Sequence, residues 1–81
     1  MTDRDLSILR AVKRLGDDAY SGSISKISGI SVAIVHRQLH RLWDTGTIEF
    51  QYVKHYKKQP VRYWRLTPLG EAAIAEGQGK E

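Results

Sequence analysis

Between residues 31 and 46 apolar and polar positions alternate with a helical period. Placed at about 100° per residue, Val32, Val35, Leu39, Leu42 and Trp43 share one side. Ala33, Ile34, Arg37, His40, Arg41 and Asp44 share the other, and His36 falls at the edge between them. Ser31 is placed to cap the first turn, since its hydroxyl can accept an orphan amide proton there. Gly46 is placed to close the last turn in a left-handed conformation. The pattern predicts an amphipathic helix over 31–45 that buries one stripe. Its outer face carries two arginines and a histidine, with small or apolar residues near the start.

The same period appears earlier. Leu6, Ile8, Leu9, Val12 and Leu15 recur behind Thr2 and Asp3, either of which can cap, and Gly16 ends the run. A shorter helix is expected from Ile24 to about Ser28, capped by Ser23, with Ile24 and Ile27 toward the core. Gly29-Ile30 then makes a tight connection into the helix that starts after Ser31. Beyond Gly46 the period drops to two. Ile48, Phe50 and Tyr52 alternate with more polar neighbours, as in a half-buried strand. Residues 54–60 read as a basic turn region closed by Pro60. Val61–Leu66 reads as a second strand, with Trp64 and Leu66 on one face. Thr67 caps and Pro68 opens a short last helix ending near Ala75, because a proline at the first helical position loses no needed amide bond. The expected fold is α+β, a winged helix-turn-helix with three helices, a two-stranded β-hairpin wing and a short C-terminal helix. Residues 1–75 make one domain, and 76–81 are expected to be a polar, disordered tail.

Composition narrows the choices. The 81 residues contain no cysteine, so neither disulfides nor thiolate metal sites are available. No apolar run reaches the roughly 18–20 residues of a membrane span, and the polar start has no signal-peptide core, so a cytoplasmic protein is expected. The formal net charge of +4 is unevenly spread. Residues 1–30 are nearly balanced and 68–81 are acidic. Residues 31–67 hold Arg37, Arg41, Lys54, Lys57, Lys58, Arg62 and Arg65 against Asp44 and Glu49. Cationic charge gathered on one helix and the hairpin after it suits a polyanionic partner.

Candidate chemistry follows from that charge. Ser31, Ala33, Ile34, His36, Arg37, His40 and Arg41 are the candidate contacts on the helix, Arg37 for a guanine edge and Ile34 for a thymine methyl. Lys54, Lys57, Lys58 and Arg62 are the candidates on the 54–62 hairpin tip, where lysines give charge to phosphates and little sequence information. His36 and His40 have the spacing of a helical metal pair. Arg37, however, stands where a zinc hydrolase motif has glutamate, and no third ligand is evident. No serine has a histidine–acid pattern beside it. Neither a cofactor nor an enzymatic activity is expected.

The chain resembles the PadR-like transcriptional regulators in three places. These are Gly29-Ile-Ser31 entering the third helix, Leu39-His-Arg-Leu42 followed by Gly46 and Ile48, and Pro60-Val-Arg-Tyr-Trp-Arg-Leu-Thr-Pro-Leu-Gly70. The Arg-Leu-Thr-Pro-x-Gly piece is shared with MarR-like and other winged helices. The resemblance implies a double-stranded DNA partner and transcriptional repression rather than activation; a homodimer is expected because one small recognition helix rarely gives enough specificity and two-fold pairing doubles the contacts. Two features depart from it: the C-terminal segment is short, and Lys57-Lys-Gln59 replaces the family's glycine-rich wing tip. In so short a chain no small-molecule effector is expected. The alternative is a protein-docking or architectural winged helix, with Ile34, Trp43 and Tyr56 facing a partner.

Overall fold

A computed structural model describes residues 2–79. Helix α1 (Asp3–Leu15) begins with a reciprocal cap, in which Asp5 N–H donates to Thr2 Oγ1 at 3.2 Å and Thr2 N–H donates to Asp5 Oδ2 at 3.3 Å. A 3-10 turn (Gly16–Asp18) leads into α2 (Ser21–Ser28). Gly29 follows at φ +74°, a conformation that costs a residue with a Cβ but not glycine. It turns the chain into α3 (Val32–Thr45). Strands β1 (Ile48–Tyr56) and β2 (Gln59–Leu66) pair antiparallel, and α4 (Pro68–Gly79) closes the described chain.

The core forms where the three first helices meet the base of the hairpin. Ile8, Leu9, Val12, Ile24, Val35, Leu39, Leu42, Ile48, Trp64 and Ile74 are buried together. One backbone bond, from Trp64 N–H to Ala19 O at 2.8 Å, fastens β2 to the segment ahead of α2. The corner between α3 and β1 is fastened to α4 as well. Thr67 N–H donates to Thr47 O at 3.1 Å, Thr67 Oγ1 donates to Gly46 O at 2.5 Å, and Gly70 N–H returns to Thr67 Oγ1 at 3.2 Å. Thr67 is thus the cap that the sequence suggests.

Several expectations need correction. Helix α2 starts at Ser21, and Ser23 lies inside its first turn, buried, accepting Tyr20 N–H and donating to Asp18 O at 2.6 Å. Its hydroxyl therefore ties down the helix start from within, which residue type alone does not distinguish from a cap. Ile27 is 43% exposed, Val32 50% and Trp43 43%, so the buried stripe is narrower than the sequence period suggests. In β1, Gln51 is an extra residue between the pairs Phe50–Trp64 and Tyr52–Tyr63. Such a bulge breaks strict alternation, and Phe50 is exposed. The basic turn expected over 54–60 is mostly strand. Tyr56 pairs with Gln59, so the turn itself is Lys57-Lys58, at φ +50° and +66°. Helix α4 runs past Ala75 through Glu76 to Gly79, and the rest of the expected tail lies outside the described residues.

Candidate nucleic-acid interface

The candidate face is built on α3. Ser31 Oγ accepts Ile34 N–H at 3.4 Å, as the N-cap that the sequence suggests, and Gly46 closes the helix at φ +82°. The buried stripe is Val35, Gln38, Leu39 and Leu42. Opposite it, Ala33, His36, Arg37, His40 and Arg41 are exposed and Ile34 is half-buried. Among the described residues none covers this outer face.

Gln38 is the member of the buried stripe that the sequence gives no reason to expect. It is 7% exposed, and its amide donates to Asp5 Oδ1 at 2.9 Å. A buried amide needs such a partner, and this one locks α3 to the first turn of α1. Asp5 therefore serves both the cap of α1 and the packing of α3.

The outer face of α3 has two flanks. Toward the hairpin, His36, Leu39 and His40 line a cleft with Ser21, Pro60, Arg62 and Trp64. The His36 and His40 rings meet edge-on at 5.0 Å, and His40 lies 6.5 Å from Trp64. On the other flank, Ile34, Arg37 and Arg41 line a cleft with Thr2, Asp3 and Arg4 at the start of α1. The sequence reading missed Arg4. No local signal marks it, because only the α1–α3 packing brings it near the helix.

The hairpin candidates divide between its two faces. Pro60, Arg62 and Trp64 share the side that lines the cleft with α3. Lys54 lies on the opposite face, with its ammonium 5.7 Å from the ring centres of both Tyr52 and Tyr63, which stack at 4.6 Å. Burial pushes the Tyr63 phenol above its usual value of 10.0, with the Lys54 charge pulling the other way. Lys57 and Lys58 are exposed at the tip, and the Lys57 ammonium lies 5.6 Å from the Tyr56 ring centre. Arg62 thus lines a cleft with α3, Lys57 and Lys58 stand at the far end of the hairpin, and Lys54 lies on the opposite face of the hairpin from that cleft. Arg65 is paired with Glu49 at 2.7 Å.

Among the described residues no group of three or more histidines and carboxylates could hold a metal ion, and no helix is long and apolar enough to cross a membrane.

Two helices joined by a glycine turn, with a hairpin beside the second, also occur in known structures. BpsR of Bordetella bronchiseptica superposes with a TM-score of 0.76 at 23% identity, over 98% of this chain and 58% of that one. This is the winged helix-turn-helix fold. MarR from E. coli matches at TM-score 0.70 and 25% identity, over 95% of this chain and 54% of that one. A further MarR-family transcription regulator matches at 0.74 and 22%, over 99% and 54%. This winged helix therefore spans between 54% and 58% of the length of these neighbours. No family model and no curated protein matches the sequence. The neighbours named here show the winged-helix fold and do not carry the finer PadR-like resemblance. DNA binding by BpsR is regulated by 6-hydroxynicotinic acid. The expectation that this chain has no effector therefore finds no support among its neighbours.

Proposed function

We propose that the chain is a sequence-specific double-stranded DNA-binding protein acting in the cytoplasm as a transcriptional regulator, a repressor rather than an activator, and as a homodimer. Helix α3 enters the major groove. Arg37 reads a guanine edge, Ala33 and Ile34 approach thymine methyls, and Ser31, His36, His40 and Arg41 meet the flanking backbone. Arg62, Lys57 and Lys58 of the hairpin lie on backbone or in the adjacent minor groove, and Lys54 adds charge from the hairpin's other face. The observation that carries this reading is the uncovered outer face of α3, which shares one cleft with Pro60 and Arg62 of the hairpin. The regulators with the same fold support it.

The test is selection of bound duplexes from a random pool, followed by titration of the selected site at several salt concentrations. If about five phosphates are neutralised, log affinity falls against log salt with a slope of about −4 to −5. Arg37→Ala relaxes sequence preference at one position by roughly 1–3 kcal/mol. Lys57→Ala weakens all sequences alike. A pool that yields no preferred site, or an affinity indifferent to salt, overturns the proposal.

A second reading is favoured by the exposed Trp43 and Phe50 rings, which lie 5.3 and 6.3 Å from Trp64. Exposed aromatics in contact suit a protein-docking surface. Under that reading Trp43→Ala, not Arg37→Ala, abolishes partner binding.

A further inference from the structure

Arg4, Arg37 and Arg41 line one cleft of about 570 Å³ between the start of α1 and the flank of α3 away from the hairpin. The half-buried bond from Gln38 to Asp5 holds the two helices together beside them. Among the described residues none of these three arginines is engaged in an ion pair, and all three are exposed. The acids nearby leave the excess intact. Asp5 spends one carboxylate oxygen on Gln38 and the other on the Thr2 amide. Asp3 is the one acidic side chain lining the cleft. Three guanidinium-bearing side chains lining one cleft with a single carboxylate leave it an excess of positive charge. Guanidinium suits phosphate, because its planar fork matches two oxygens at once.

We propose that Arg4 and Arg41 make this cleft a phosphate site beside the base-reading Arg37, and that Arg4 grips a backbone phosphate of the duplex on the strand opposite the one met by the hairpin. The inference rests on the DNA-binding reading and deepens it. A helix seated in the major groove has a backbone on either side. The hairpin supplies cations to one side only, whereas Arg4, carried by a different helix, supplies the other. The contact is to phosphate and carries no base information. Its loss therefore lowers affinity without changing which sequence is preferred. Asp3 opposes the same anion, so removing its charge strengthens binding.

The experiment titrates the selected duplex and an unrelated duplex against the wild type, Arg4→Gln, Asp3→Asn and Lys13→Gln. Lys13 is the charge control, since it pairs with Glu71 at 3.0 Å and lies in neither cleft of α3. The expected result for Arg4→Gln is a five- to tenfold loss on both duplexes, with the salt slope shallower by about 1. Asp3→Asn gains affinity on both, and Lys13→Gln leaves the slope unchanged. Inorganic phosphate, titrated while the arginine side-chain NMR signals are followed, separates a free-anion site from a backbone contact. An unchanged slope for Arg4→Gln, with wild-type binding intact, overturns this inference alone, whether or not phosphate moves those signals. A loss confined to the selected duplex also overturns it, because Arg4 would then be reading bases. Failure of the wild type to bind any duplex overturns this inference and the DNA-binding reading together.

Discussion

Gly70 illustrates how a short motif acquires a physical reason. A Cβ built there would stand 2.1 Å from Thr47 O, the oxygen that accepts Thr67 N–H. The glycine of the Thr-Pro-Leu-Gly run thus lets α4 lie directly on the α3–β1 corner. Gly70→Ala should cost roughly 2–3 kcal/mol of stability by forcing those backbones apart, measurable by denaturant unfolding. Lys57 and Lys58 show the opposite case, in which the residues present are poor choices for the conformation. A two-residue turn with both φ positive favours Asn-Gly, and a left-handed non-glycine costs roughly 1–2 kcal/mol. Lys57→Asn with Lys58→Gly should therefore raise hairpin stability by roughly 1–2 kcal/mol. It should weaken every duplex while making the salt slope shallower by about 2. Parallel melting and salt titrations check both outcomes. The basic character of the tip was legible in the sequence. Its geometry was not, because nothing in a lysine pair signals a left-handed turn.

At the level of elements, the helices were legible because their apolar spacing is local. The face that each helix buries was legible only in part. Val32, Trp43 and Phe50 lie where a periodic reading places core, yet each is exposed, since the packing partner fixes the width of a stripe and no single element reveals it. Gln38 is the converse, a polar residue made buried by a carboxylate on another helix. Gln38→Ala should destabilise the protein by about 1.5–3 kcal/mol, the range for a hydrogen bond to a charged group. Chemical denaturation checks this. Backbone amides where α1 and α3 meet should exchange with solvent faster than elsewhere. Unchanged stability would mean that Asp5 and Gln38 are equally well satisfied by water.

The described chain extends 43 × 24 × 20 Å, and its charge is as unequal as its dimensions. The concentration of cations in residues 31–67 foretold a charged face. The sequence could not foretell that α3 would have a cationic cleft on each flank, because Arg4 and Arg62 reach those flanks from different elements. The division of the wing lysines between two faces was hidden for the same reason, together with the insertion at Gln51.

That insertion sets the aim of the outer hairpin. Below it Phe50 answers Trp64; above it Tyr52 answers Tyr63 and Val53 answers Arg62. Successive side chains in a strand point to opposite faces, and a bulge sets two residues against one, so without Gln51 the residue after Phe50 would be Tyr52, still opposite Tyr63; what the extra residue adds is a bend and a stronger twist. Deleting Gln51 should leave the helical core and the Tyr52–Tyr63 stack in place, with the near-ultraviolet circular dichroism of the tyrosines retained, while affinity for the selected duplex falls because the straightened arm is aimed elsewhere. The arm would still carry the same charges on the same faces, but it would hold them at another angle to α3, as a hand on a stiffened wrist keeps its fingers and misses the rail.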